Sequence, residues 1–429
     1  MLSSLMERYL RKAGSQVFRV IVETDRIDDV AAEISQRIGE ILPMGPLGGL
    51  IRRSFGALAH FASVKKIPRF RAVSFPATAK LVEELEGDPR IRMIYPDRIV
   101  RALEFPTVPR QGMYRIEEVF TSTQWTRKII GAEEAESEGY RGEGVRVAVI
   151  DTAGVPQHSA IAHAYGMTTM PPLVTDENGH GVHVAATIGG KLYADPIMKI
   201  PAKGIAPGCE LVTIKALGLV VGIGFESSIL EAMDLAARLG CKVINMSLGS
   251  DEVPRSPEED PQVKAIKKLV EENNVIPCVA AGNSGPDPGT VNSPGIAEEA
   301  ITVGAYSPIT GEVAGFSSRG PTPDGRIKPD CVMPGVSIYA PVVGLLDALC
   351  PPKKAVRASS LDGTSVAAPH MAGLVALMVQ HARRHGVDLS ARHVKEMLEA
   401  YGLPKTNDYG WGVATWGMYK RYASEVLGL

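Results

Sequence analysis

Cysteine is scarce in this chain of 429 residues: five occur, Cys209, Cys241, Cys278, Cys331 and Cys350. The number is odd, so at least one stays unpaired in a monomer, and none shows metal-ligand spacing. They read as structural residues. No run of eighteen apolar residues occurs, so no membrane span and no membrane partner are expected. The formal net charge of −2 supplies no basic field, which argues against nucleic acid as a partner. Charges interrupt every apolar cluster at the N-terminus, and the h-region of a secretory signal is missing. The expectation is a cytoplasmic protein as the chain stands, or a secreted one whose leader has been lost. No P-loop and no complete Gly-x-Gly-x-x-Gly follows a strand, which argues against a nucleotide enzyme. No Gly-x-Ser-x-Gly elbow occurs either, which argues against an esterase. Asn and Gln number seven each beside 31 Pro, a composition that leans towards a thermophilic, thermostable source.

What is present divides the chain. Apolar residues make up 45% and charged residues 22%, ordinary for a protein with a sizeable core. Residues 16–24 alternate like a strand, and Ile27, Val30, Ala31, Ile34 and Ile38 mark an amphipathic helix. After a Gly/Pro-rich piece at 42–49, residues 70–75 read as a strand, 78–86 as a helix and 91–95 as a strand. The result is a small α+β, ferredoxin-like unit of split-βαβ type. Residues 104–127 lack periodicity and read as a linker. From residue 142 the pattern changes to buried strands at 145–150, 211–214, 243–246, 275–281 and 300–303, with helices at 227–238 and 261–272 among them. That alternation predicts an α/β fold with a mostly parallel sheet covered on both faces. Residues 1–105 carry 17 Lys+Arg against 13 Asp+Glu, so the remainder is near −6. Opposite charge favours docking of the two parts on each other, and solvated charged faces account for the imbalance equally well.

Four segments carry candidate chemistry. Ser365 precedes a long apolar run with helical length, a place where a serine is commonly just an N-cap. The same place offers backbone N–H groups and a positive dipole end to a developing oxyanion. Asp151 ends the first buried strand, a frequent position for a turn cap. His180 lies between Gly179 and Gly181 at a helix start. His183, one turn on, would complete a metal pair, but no zincin glutamate accompanies it. Asn283 ends another buried strand among small residues, as in many plain turns. Acyl transfer needs these residue types together: a serine, a histidine to take its proton, a carboxylate to orient the imidazole, and an amide to meet the oxyanion.

Residues 147–152 (VAVIDT), 179–185 (GHGVHVA), 280–283 (AAGN) and 363–370 (GTSVAAPH) together resemble the subtilisin-like serine proteases, in the family order Asp, His, Asn, Ser. The resemblance implies a subtilisin-like fold and a serine endopeptidase acting on protein and peptide substrates. It implies Ser365 as nucleophile, His180 as general base and acid, Asp151 as its orienting carboxylate, and Asn283 with the Ser365 N–H as oxyanion hole. Ser247, Leu248 and Gly249 are implied as one wall of the substrate cleft, and Ala280, Ala281 and Gly282 as the opposite wall of the primary pocket. Gly222, within the stretch 218–224, belongs to the other substrate-binding edge. Asn292, Ser293 and Pro294 fall near the pocket floor.

The chain departs from the family at Ala153, where Gly is usual, and at Val182, where Thr is usual. Ala160 replaces a common calcium-binding aspartate, and residues 189–207 offer Asp195 as their only carboxylate. Calcium takes six to eight oxygens, so the usual high-affinity site is degraded, while structural calcium elsewhere in the chain stays open. No cofactor is needed for catalysis, and no metal ligands are assigned. Residues 70–103 resemble the second half of the family's propeptide, of the inhibitor I9 type, which templates folding and then occupies the cleft as an inhibitor. The implied division is a propeptide domain at 1–105, a linker with the processing region at 106–124, and a catalytic domain at 125–429. Cleavage is expected within 102–121, and the state expected is a monomer. A silent scaffold binding peptides in the same cleft is the alternative function.

Overall fold

In the computed structural model, residues 1–13, 16–41, 61–103, 105–106, 121–170, 174–196, 199–218, 220–345, 347 and 355–429 are described. The Gly/Pro-rich stretch at 42–49, most of the linker and the segment 348–354 with Cys350 lie outside them.

The N-terminal unit opens with helix α1 (Ser4–Ala13), which the sequence reading did not anticipate. Glu7, Arg8, Arg11 and Lys12 are exposed on it, while Leu5 and Met6 are buried. Strand β1 (Phe18–Thr24), helix α2 (Ile27–Ile41), strands β2 (Lys65–Ile67) and β3 (Ala72–Ala77), helix α3 (Ala79–Glu86) and strand β4 (Ile91–Pro96) follow. The expected strand at 70–75 starts later, because Pro68–Phe70 form a 3₁₀ turn and Arg71 takes a left-handed φ of 51°. The sheet order β2-β3-β1-β4 is antiparallel throughout, the split-βαβ arrangement expected. One face packs Val20, Val22, Ile34, Val73, Phe75, Val82 and Ile94 into a core of its own.

Two short strands then leave this unit, β5 (Ile99–Ala102) and β6 (Phe105–Pro106). Helices α4 (Thr123–Ile129) and α5 (Ala132–Ser137) lead into the large unit. Its strands are β7 (Arg146–Asp151) and β8 (Tyr165–Thr168), then, after helix α6 (His180–Gly189), β9 (Tyr193–Ala194), β10 (Pro201–Ala202), β11 (Glu210–Lys215) and β12 (Ile223–Phe225). Helix α7 (Glu226–Arg238), strands β13 (Val243–Met246) and β14 (Leu248–Gly249), helix α8 (Pro261–Asn273) and strands β15 (Ile276–Ala280), β16 (Ile301–Tyr306) and β17 (Cys331–Pro334) follow. The chain closes with β18 (Ile338–Val342), β19 (Arg357–Asp362), and helices α9 (Thr364–Arg384), α10 (Ala391–Tyr401) and α11 (Trp416–Tyr422).

The central sheet runs β17-β16-β15-β13-β7-β11-β8, and every pair is parallel. Val, Ile and Ala fill its strands because both faces are covered. One face packs against α6 and α9, the other against α7 and α8. Order reverses on either side of β7, so the crevice at that strand's C-terminal end is the topological switch point. Asp151 stands there. The four described cysteines are buried and unpaired; burial pushes the Cys209 and Cys241 thiols up to about 12, so they stay neutral.

The expected charge complementarity is realised at the junction of the units. Lys65 pairs with Glu231 at 2.7 Å, Arg69 with Asp234 at 2.7 Å, and Arg98 with Asp260 at 2.8 Å. Lys264 to Glu23, at 2.9 Å, is a pair with the opposite sense.

Candidate active site

Asp151 and His180 meet where β7 ends and α6 begins. The His180 Nδ1–H donates to Asp151 Oδ1 at 2.7 Å, and both side chains are fully buried. The Thr152 N–H also donates to that oxygen, at 2.7 Å, which fixes the carboxylate. With Nδ1 bound to Asp151, Nε2 lies on the opposite edge of the ring, and the tautomer with Nδ1–H is selected. The helix start is held by Asp176, a residue the sequence reading passed over. Its Oδ1 accepts from the Gly179 N–H at 2.7 Å and its Oδ2 from the Val182 N–H at 3.0 Å. Gly181 packs so tightly on Ala153 that a Cβ there would sit 2.3 Å from the Ala153 nitrogen. Ala153 itself is buried and is not among the described residues with positive φ, so alanine fits where glycine is usual.

His183 is not part of this group. Its Nε2 lies 2.9 Å from the Ile338 carbonyl, and burial pulls its pKa down to about 3, so it is a neutral core histidine. His370, equally buried, links Thr126 Oγ1 at 2.8 Å to the Val366 carbonyl at 2.9 Å, tying α4 to α9.

Ser365 is not the N-cap of its helix. Gly363 occupies that position, and Ser365 is the second residue of α9, so its hydroxyl is not used in capping. Pro369 lies four residues on and has no N–H to offer the Ser365 carbonyl. That carbonyl accepts instead from Ser247 Oγ at 2.6 Å, and Ser247 Oγ is in turn bound by Asn245 Nδ2 at 2.8 Å. The helix start is thereby anchored to the strand exit at β13.

Asn283 completes the group. Thr364 donates to its Oδ1 twice, from the backbone N–H at 3.0 Å and from Oγ1 at 2.9 Å. Only an acceptor can meet that N–H, so the amide is oriented and Nδ2 is turned the other way. Nδ2 is buried with no hydrogen-bond partner among the described residues. Gly282 before it has φ 114°, and a Cβ there would collide with Asn292 Oδ1, so only glycine fits. A Cβ at Gly363 would lie 2.5 Å from the Leu103 carbonyl oxygen, 2.8 Å from Ser365 Oγ and 3.2 Å from Asn283 Nδ2. A hydroxyl, an amide donor and a peptide carbonyl thus converge on one point.

That carbonyl comes from the chain itself. Strand β5 lies between β12 and β14, antiparallel to both. Ala102 donates to the Gly222 carbonyl at 2.9 Å and Leu103 to the Ser247 carbonyl at 3.4 Å. The Ser365 hydroxyl is in hydrogen-bond contact with the Leu103 carbonyl, and β6 pairs with β19 beyond it. Along this strand Val100 is buried and Ile99 and Arg101 are exposed, and Leu103, just past its end, is buried again. Leu103 packs over Gly249, where any Cβ would fall 3.0 Å from Leu103 Cδ1 and 3.1 Å from Asn292 Cβ. Of the residues expected to bind substrate, Gly222, Ser247, Leu248 and Gly249 therefore touch this strand. Ala280 and Ala281 are fully buried at the end of β15, and Gly282 donates to Thr364 Oγ1 at 3.1 Å.

Among the described residues no group of three or more His, Cys, Asp or Glu converges to hold a metal. In the loop 189–207 Asp195 is the single carboxylate, and Ala160 is buried and apolar. The loop thus offers one carboxylate where a calcium ion takes six to eight oxygens.

A parallel sheet with Asp151 bound to His180 at its switch point, and with Ser365 beside Asn283 past the end of a further strand, defines a class of hydrolase fold, and the comparisons agree. The subtilase family model matches residues 142–412, and the chain belongs to the subtilase family. Serine protease AprX of Bacillus subtilis is 36% identical over 281 residues, covering 60% of this chain and 61% of AprX. Subtilisin Savinase of Lederbergia lenta is 32% identical over 294 residues, covering 68% of this chain and 96% of Savinase. M-protease of Shouchella clausii is 31% identical over 338 residues, covering 78% of this chain and 80% of M-protease. The match thus spans less than two thirds of AprX but nearly all of Savinase. Subtilases need no cofactor for catalysis.

Proposed function

We propose that this protein is a serine endopeptidase synthesised as a self-processing precursor. Ser365 Oγ attacks a peptide carbonyl carbon while His180 Nε2 takes the hydroxyl proton. Asp151 holds the imidazole and stabilises its cation. The tetrahedral oxyanion is met by Asn283 Nδ2 and the Ser365 N–H. Collapse expels the amine, protonated by His180, and leaves an acyl-enzyme that water hydrolyses by the reverse sequence of proton transfers.

The division of labour follows the chain: residues 1–105 as folding template and inhibitor, 106–124 as processing region, 125–429 as catalytic domain. The observation that carries this reading is the Leu103 carbonyl set against Ser365 Oγ at the end of a strand held on both edges. The first bond to break is then Leu103–Glu104, inside the expected window. A second support is the M-protease match, which covers more residues than 125–429 contain and so reaches into the N-terminal unit. A sheet built from non-local parallel pairs forms slowly, which gives a template a purpose. Monomeric precursor and peptide substrates held by β-augmentation belong to the same reading. So does a primary pocket that takes a side chain of leucine size, since Leu103 fills it.

N-terminal sequencing of the processed protein tests it directly. A mature chain beginning at Glu104 is the expected result; a mature chain that retains residues 98–103 would overturn the cleft assignment. Asn283→Ala is expected to retain substrate affinity and lose roughly 10²–10³ in kcat, the magnitude belonging to the equivalent change in subtilisin, a member of this family. Matched KM and kcat measurements check it, and a change confined to KM would remove Asn283 from the oxyanion site.

A further inference from the structure

The strand in the cleft continues upstream into a buried ionic site. Arg98, five residues before Leu103, is 1% exposed. Its Nε donates to Glu226 Oε2 at 3.0 Å, and its Nη2 donates to Glu226 Oε1 and, at 2.8 Å, to Asp260 Oδ2. Nη1 donates to the Glu252 carbonyl, and Ser293 Oγ lies 3.4 Å from Nη2. A planar guanidinium is thus bridged across two carboxylates and a carbonyl, a geometry that lysine cannot reproduce.

The receiving groups all belong to the catalytic unit and are organised without Arg98. Asp260 caps α8, with Oδ1 accepting from the Gln262 and Val263 N–H groups at 2.9 and 3.2 Å, while Ser293 Oγ donates to its Oδ2 at 2.6 Å. Glu226 lies in the first turn of α7, and Gln262 Nε2 donates to it at 3.2 Å. Both carboxylates are fully buried. Burial, with Asp260 and Asp97 adding to it against the pull of Arg98, pushes the Glu226 carboxyl up to about 7. Without Arg98 the two carboxylates face one another with no cation between them, and their mutual repulsion makes the vacated site favour a replacement cation.

We propose that Glu226 and Asp260 form an arginine subsite, which selects substrates carrying arginine at the sixth residue before the scissile bond. The inference rests on the protease reading above, because the register is counted from the Leu103 carbonyl. An extended substrate following the path of β5 between β12 and β14 places its sixth residue where Arg98 stands. Buried Val100 adds an apolar requirement at the fourth residue, and Arg101, exposed and paired with Asp251 at the rim, adds little.

The test uses processed enzyme freed of its N-terminal fragment and three peptides with Leu before the scissile bond, differing only in Arg, Lys or norleucine at the sixth position. The expected kcat/KM is about tenfold or more higher for Arg than for norleucine, with Lys between them, given the strength of charge-assisted hydrogen bonds. Glu226→Gln and, separately, Asp260→Asn, which keeps the cap through its amide oxygen, should each shrink the ratio while leaving norleucine-peptide hydrolysis unchanged. Equal kcat/KM for Arg and norleucine peptides in the parent enzyme overturns the subsite and leaves the protease assignment standing. Failure to cleave any of the three by folded enzyme overturns the protease assignment itself.

Discussion

Ser365→Ala is expected to yield a folded precursor that stays at its full 45.8 kDa and hydrolyses nothing. The loss in kcat should be roughly 10⁶, the magnitude seen when the nucleophile of subtilisin, of this same family, is removed. The fold should survive, because the serine side chain's contact is with the Leu103 carbonyl, while its backbone carbonyl still accepts from Ser247 Oγ. Thermal melting of the variant should therefore match that of a parent precursor trapped before cleavage. Gel electrophoresis after refolding, with labelling by a serine-directed phosphonate as a control on the parent, reads the outcome. Self-processing at the parental rate in the variant would show that another residue attacks the chain. A variant that fails to melt cooperatively would place Ser365 in the fold rather than the chemistry.

The candidate site residues were legible because each sits in a local motif whose residues are dictated by close packing. Gly282 cannot bear a Cβ beside Asn292, Gly181 cannot bear one beside Ala153, and Gly363 borders the reacting groups. Buried parallel strands were legible for the same reason, as continuous apolar runs. Arg98 was not. Its partners lie 128 and 162 residues away on two helix starts, and a salt bridge between such positions leaves no periodic or spacing signal. Charge imbalance between the two parts pointed to docking but not to which residues dock. Asp176 was invisible for a different reason: a carboxylate before a helix reads as an ordinary cap, and only the fold shows that its two oxygens hold the Gly179 and Val182 N–H groups on either side of His180. Ser365 lies one residue inside α9 because Gly363 takes the cap position. A missing N–H at Pro369 reorganises the first turn around Ser247.

Asp151→Ala should reduce the first-order rate of self-cleavage by roughly 10⁴, the order seen for the triad aspartate of subtilisin and less than loss of the serine. The carboxylate has two jobs at one oxygen: it accepts the His180 Nδ1–H and the Thr152 N–H, both at 2.7 Å. Removing it frees the imidazole to adopt the other tautomer and leaves its cation without a partner at a buried position. Asp151→Asn separates these effects. The Thr152 N–H needs an acceptor, so the amide oxygen should face Thr152 and His180, keeping the ring tautomer but not the negative charge. The asparagine variant should therefore cleave faster than the alanine variant and slower than the parent. Quenched time courses after dilution from denaturant give all three rates in a single turnover. Because the residues act as a unit, adding Asp151→Ala to Ser365→Ala should cost nothing further. An additive loss in that double variant would mean that Asp151 supports the fold of the β7 exit and not the proton transfer.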